Sequence, residues 1–114
     1  MSWIAVAGPY SSGGADAAAR ATRLREVNEA ALAVYERGWT PVIGVNMALP
    51  LIAEAGEDRF AEIMQPLANA LVARCDAILR IGGPSAGADA EVALLTTRGA
   101  PVFLRLVDVP PPPK

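Results

Sequence analysis

The stretch CDAILRIGGPSAGADAEVA, residues 75–93, decides the fold. It reads as the end of a helix, a buried strand over residues 77–81, a Gly-rich turn and the start of another helix. Its polar side chains are few and spaced: Asp76 just before the strand, Ser85 in the turn, Asp89 and Glu91 where the helix begins. A turn at the carboxyl end of a parallel strand is where open α/β sheets place their ligands.

Working outward, Trp3, Ile4, Ala5, Val6 and Ala7 form a short apolar run closed by Gly8-Pro9, the pattern of a buried first strand. The loop GPYSSGG, residues 8–14, is rich in backbone N–H groups and hydroxyls. A long helix follows over residues 16–37, with Asp16 as N-cap, Leu24, Val27, Ala31 and Val34 along one face, and Gly38 just past its end. Residues 40–45 (TPVIGV) read as a second strand, which Pro41 and Gly44 restrict to a short or edge-like one. Residues 46–56 read either as an apolar loop or as a short helix over the site. A helix over residues 57–74 comes next, kinked or divided at Pro66. Beyond the opening stretch, a helix over residues 88–98 ends at Gly99, and residues 101–107 (PVFLRLV) read as a last strand.

The order β-α-β-α-β-α-β, with nearly continuous apolar strands and helices of crossover length, predicts an α/β fold. The expectation is a three-layer, flavodoxin-like or Rossmann-like parallel sheet of four to five strands, with helices on both faces. One domain over residues 1–109 and a flexible Pro-rich tail over residues 110–114 account for the 114 residues.

Composition narrows the chemistry. With 10 Lys and Arg against 12 Asp and Glu, and no basic cluster, a nucleic-acid partner is not expected. The amino terminus has neither a charged leader nor a long apolar run, so no membrane association and a cytoplasmic location are expected. The single Cys75 cannot form an intrachain disulfide. The chain has no histidine, which removes Ser-His and Cys-His pairs and most zinc sites. Catalysis near neutral pH would rest on carboxylates, hydroxyls, Arg or Lys, or on a cofactor, although no cofactor or metal is expected.

In a parallel sheet the loops after the first and third strands emerge at the same end. Residues 8–14 and 82–87 would then face each other, bringing Gly8, Tyr10, Ser11, Ser12 and Gly13 toward Ser85, Gly87, Asp89 and Glu91. Each residue also has a plain structural reading. Glu91 in a first helical turn suits the helix dipole, and Ser85 or Asp89 suits a cap. Asp76 can end a helix, Ser85 can serve the turn, and Tyr10 can pack with its hydroxyl outward. Arg80 and Arg105, inside apparent strands, suggest an exposed edge or a subunit contact. The glycines form neither a P-loop nor GxGxxG.

Taken together, Ala7-Gly8-Pro9-Tyr10, Asn28, Gly38-x-x-Pro41, Cys75-Asp76-Ala77 and Ser85-x-Gly87-x-x-x-Glu91 resemble the nucleoside 2-deoxyribosyltransferase-like superfamily. That superfamily includes the 2′-deoxynucleoside 5′-monophosphate N-glycosidases. The similarity spans residues 4–102. It implies that Glu91 is the nucleophile, attacking the anomeric carbon to form a glycosyl ester, as in retaining glycosidases. It further implies that Asp76 positions and protonates the leaving base, with a proton affinity raised by burial, while Glu91 stays ionised at its helix N-terminus.

Two features depart from the transferases. Ser85 stands six positions before Glu91 where they carry an acid, as in the monophosphate N-glycosidases, whose serine helps hold the 5′-phosphate. Ser11, Ser12, Gly13 and Gly14 would share that role, and the arginine of that loop is absent unless Arg20 or Arg23 swings in. The chain also stops short of the segment with which transferases complete a neighbour's pocket, so cleavage is expected over transfer. The expected substrate is a nucleoside or nucleotide, and the expected assembly a homodimer or higher homo-oligomer. The alternatives are a non-catalytic nucleotide- or ADP-ribose-binding module and the Gly-rich phosphoribohydrolase type, whose PGGxGTxxE loop differs from Gly82-Gly83-Pro84-Ser85.

Overall fold

A computed structural model describes residues 2–113. Met1 and Lys114, assigned above to the domain and to its tail, lie outside the described residues. Four strands form one all-parallel sheet in the order β2-β1-β3-β4: β1 is Trp3–Ala7, β2 Thr40–Val42, β3 Ala77–Arg80 and β4 Val102–Phe103. The helices are α1 (Ala17–Glu36), α2 (Gly44–Ala55), α3 (Phe60–Val72) and α4 (Ala86–Thr97). The flavodoxin-like α/β class expected from the strand and helix pattern is the observed one.

Alternation along the central strands builds the three layers. Ile4 and Val6 of β1, with Ala77 and Leu79 of β3, point to one face, where Val27, Ala30, Ala31 and Val34 of α1 cover them. Ala5 and Ala7, with Ile78, point to the other, against Val72 of α3 and Ala88 and Leu95 of α4. Both central strands are thus buried on both faces, which is why they read as unbroken apolar runs. Pro41 is tolerated because β2 is an edge strand.

Several boundaries differ from the sequence reading. Residues 43–45 do not extend β2: the chain turns at Ile43 and begins α2, so the undecided segment is a helix. Gly44 lets α2 lie against α3, since a Cβ there would come 2.7 Å from the Ala68 methyl. A short 3₁₀ turn, Glu57–Arg59, leads into α3, which runs unbroken through Pro66. Pro50 and Pro66 are both exposed. The carbonyls left without an N–H donor lie one turn back on the same helix side, toward water.

At the carboxyl end, only Val102 and Phe103 pair with β3. Residues 106–108 wind into a 3₁₀ turn instead of extending a strand. The expected flexible tail is fastened where it begins. Trp39 donates from Nε1 to the Pro110 carbonyl at 2.8 Å, Arg37 reaches the carbonyls of Leu106 and Val109, and Val109 is buried against α1. No helix among the described residues is long and apolar enough to cross a membrane.

Candidate functional site

The strand order reverses between β1 and β3, since the chain leaves β1 for β2 on one side and later places β3 on the other. Such a switch point opens a crevice at the carboxyl strand ends. A cavity of about 140 Å³ lies there, and Gly8, Tyr10, Ser11, Ser85, Gly87 and Glu91 all line it. The topological expectation that the two loops meet is therefore fulfilled for six of the residues singled out. Ser12 and Gly13 do not line the cavity; Gly13 is exposed and Ser12 uses its carbonyl to accept from Arg23.

Asp76 is at the wrong end of the sheet. It precedes β3, whereas the cavity lies beyond β3, about 13 Å away at ~3.3 Å per strand residue. Its carboxylate is exposed and accepts the backbone N–H of Trp3 at 2.8 Å, tying the starts of β1 and β3 together. It cannot reach a ligand that Glu91 touches, nor is it buried as protonation of a leaving base would require. Asp89 is also outside: it faces water and receives Arg80 at 3.2 Å from both Nε and Nη2.

Ser85 is the N-cap of α4. Its Oγ accepts from the Ala88 N–H at 3.1 Å, so the capping alternative is the one realised. The hydroxyl proton remains available to a ligand, because Ser85 is both buried and on the cavity wall. Since the helix starts at Ala86, Glu91 is its sixth residue and stands in the second turn.

That displacement changes the electrostatics. The helix dipole acts within the first turn, so it does not hold Glu91 ionised. Burial pushes the Glu91 carboxyl from 4.5 up to about 7, against the pull of the Arg80 guanidinium. The expectation of a fully ionised carboxylate gives way to a group divided between its acid and base forms near neutrality. Among the described residues no other carboxyl lines the cavity.

Arg23, Gln65, Gly44 and Val45 add to the wall, and of these the sequence reading had raised only Arg23 for the site. Arg23 of α1 donates to the carbonyls of Tyr10 (3.2 Å) and Ser12 (2.8 Å), so an α1 arginine does meet the first loop, holding its backbone. Arg20 sits 5.5 Å from the Tyr10 ring centroid and 5.2 Å from that of Phe60, which stacks on Tyr10. These contacts join the first loop to α1 and α3. Gln65 of α3 donates to Asn69 Oδ1 at 2.7 Å and to the Gly87 carbonyl at 3.3 Å. A Cβ on Gly87 would overlap its amide oxygen. Gly44 and Val45 contribute from α2. The only advance signal for Gln65 was its place beside Met64 on an amphipathic helix.

Cys75 offers no second centre. It is buried, and burial with the adjacent Asp76 charge pushes its thiol up to about 11, so it stays protonated. Among the described residues no group of three His, Cys, Asp or Glu side chains is placed to hold a metal ion. Comparison of the chain with protein-family models, curated proteins and solved structures gives no match.

Proposed function

We propose that the chain cleaves the N-glycosidic bond of a deoxynucleoside or its 5′-monophosphate, as a member of the nucleoside 2-deoxyribosyltransferase-like superfamily. The observation that carries this reading is Glu91: one half-buried carboxyl facing a cavity at the β1/β3 switch point, among hydroxyls and backbone amides. A Glu91 oxygen bonds to the anomeric carbon while the bond from that carbon to the base breaks. The electron pair leaves with the base nitrogen, which takes up a proton. Water then adds at the same carbon, releases Glu91 as carboxylate and returns a proton to solvent. With Asp76 remote, the Tyr10, Ser11 and Ser85 hydroxyls on the cavity wall are the groups that would carry that proton.

The cavity volume supports a ligand only partly enclosed. About 140 Å³ is below the 300–1,000 Å³ of pockets that engulf drug-sized ligands. It suits the sugar ring, with base and phosphate reaching the rim, where a second copy of the chain in a cytoplasmic homo-oligomer would cover them. Incubating the protein with a panel of deoxynucleosides and their monophosphates tests the reading. Free base should appear, and Glu91→Gln should suppress its release at least a thousandfold. Equal release by the variant would overturn the mechanism.

The raised proton affinity of Glu91, and the lack of a second carboxyl on the cavity wall among the described residues, favour one alternative, a non-catalytic nucleotide- or ADP-ribose-binding module. It calls for ligand-induced thermal stabilisation without turnover, unchanged in Glu91→Gln.

A further inference from the structure

Arg80 is the last residue of β3, an interior strand, so it does not mark a sheet edge. Its side chain is only 11% exposed and folds back over the turn that follows. From Nη1 it donates to the carbonyls of Ile81 (2.5 Å) and Gly82 (3.5 Å), and from Nη2 to that of Gly83 (2.8 Å). From Nε and Nη2 it also reaches Asp89 Oδ1, both at 3.2 Å. One guanidinium thus grips three consecutive carbonyls and the first turn of α4.

Those are the places where the chain would otherwise be loose. Gly82 and Gly83 lack side chains and Gly82 has φ +80°, so this turn, like Gly13-Gly14 of the first loop, has extra backbone freedom to lose. Beyond Pro84 the Ser85 cap starts α4, and α4 carries Gly87, Ala88 and Glu91 into the cavity wall. Asp89 and Glu91 are two apart and so lie on different sides of the helix. Arg80 holds the outer side while Glu91 faces inward.

We propose that Arg80 is a positioning residue of this site: by bracing residues 81–83 against Asp89, its guanidinium sets where α4 leaves the sheet and where the Glu91 carboxyl stands. A lysine cannot do this, because a single ammonium has no planar fork with which to span carbonyls and a carboxylate together. The guanidinium charge has a second effect, lowering the proton affinity that burial raises in Glu91. The charged or titratable groups around Glu91 are Arg80 from β3, Arg23 from α1, Tyr10 from the first loop and Asp89 on its own helix. The neighbours from α2 and α3, among them Val45, Met64 and Gln65, are uncharged.

The test compares the full chain with Arg80→Lys, Arg80→Met and Asp89→Asn, using two NMR readouts that need no turnover. The first is the Glu91 side-chain ¹³C titration, and the second is the ¹⁵N order parameters of Gly82 and Gly83. Arg80→Met should move the Glu91 midpoint up by roughly one pH unit. Arg80→Lys should leave the midpoint near its original value, yet both Arg80 variants should drop the glycine order parameters toward the flexible range below ~0.6. Asp89→Asn keeps the three carbonyl contacts and should give an intermediate loosening. Should Arg80→Met fail to fold, Arg80→Lys and Asp89→Asn still decide the bracing. Unchanged order parameters in them would overturn the proposal, as would an unmoved Glu91 midpoint in a folded Arg80→Met. The kinetic readout alone rests on the glycosidase reading: Arg80→Lys should lower kcat more than tenfold with KM little altered. A wild-type protein without turnover would sink that reading and leave the NMR results to judge Arg80.

Discussion

The Asp76 carboxylate accepts the Trp3 backbone N–H at 2.8 Å, joining the first residue of β1 to the residue before β3. The bond lies at the amino end of the sheet, with the whole of β3 between it and Glu91. Replacing Asp76 should therefore affect folding and leave the cavity alone. Asp76→Ala is expected to lower unfolding free energy by about 1 kcal/mol, the net worth of an exposed hydrogen bond. Base release should stay within twofold of wild type. Urea denaturation and a base-release assay on the same preparation check both parts, and a hundredfold loss of activity at unchanged stability would contradict this placement.

Glu91 should leave a mark on stability as a function of pH. The folded chain keeps the Glu91 proton up to about pH 7, whereas an unperturbed carboxyl loses it near 4.5. Between those values the folded state binds more protons than the unfolded one, so this group's contribution makes stability fall as pH rises. Below 4.5 the penalty is absent, and above 7 it is complete at roughly 3 kcal/mol. Glu91→Gln removes the titration. The variant should match wild type near pH 4.5 and exceed it by roughly that amount at pH 8, measured by chemical denaturation at each pH.

The same titration should appear in the rate. If ionised Glu91 attacks the sugar, kcat/KM should rise about tenfold per pH unit below 7 and level off above it. A profile falling through pH 7 would instead assign the protonated form and make Glu91 an acid.

Ser85→Ala removes the α4 cap while leaving the wall otherwise intact. A loss of about 1 kcal/mol is expected, or about 5 °C in Tm. Ser85→Asp, which can also cap, should restore stability; if substrate carries a 5′-phosphate, it should at the same time weaken binding by placing like charges together. Thermal melts and KM values for phosphorylated and unphosphorylated substrates separate the two roles.

The sequence disclosed most where burial is two-sided. Ile4 to Ala7 and Ala77 to Leu79 read as interior strands and are so, and their parallel pairing places residues 8 and 85 on one cavity. It disclosed least where a proline sits in a helix. Pro50 hid α2 and Pro66 suggested a break in α3, because the sequence does not show that both prolines face water. The run from Pro101 to Val107 is apolar enough for a strand, yet at the sheet edge only Val102 and Phe103 find a partner. For the site, a two-residue error in the start of α4 put Glu91 in the first turn and inverted the expected electrostatics. Asp76 entered the site through the family resemblance alone, although its place before β3 already set it at the amino end, away from the carboxyl strand ends where ligands bind.

The hydrogen bond that fastens Trp39 to Pro110 also determines what the protein can report about itself. Trp3 and Trp39, the two tryptophans of the chain, stand at the amino end of the sheet on opposite faces: Trp39 packs with Ile4 and Val6, whereas Trp3 alternates to the other side. Neither borders the cavity. Intrinsic fluorescence will thus follow unfolding and release of the tail, yet remain silent when a ligand occupies the switch point. A binding titration has to be observed through Tyr10 or through the ligand.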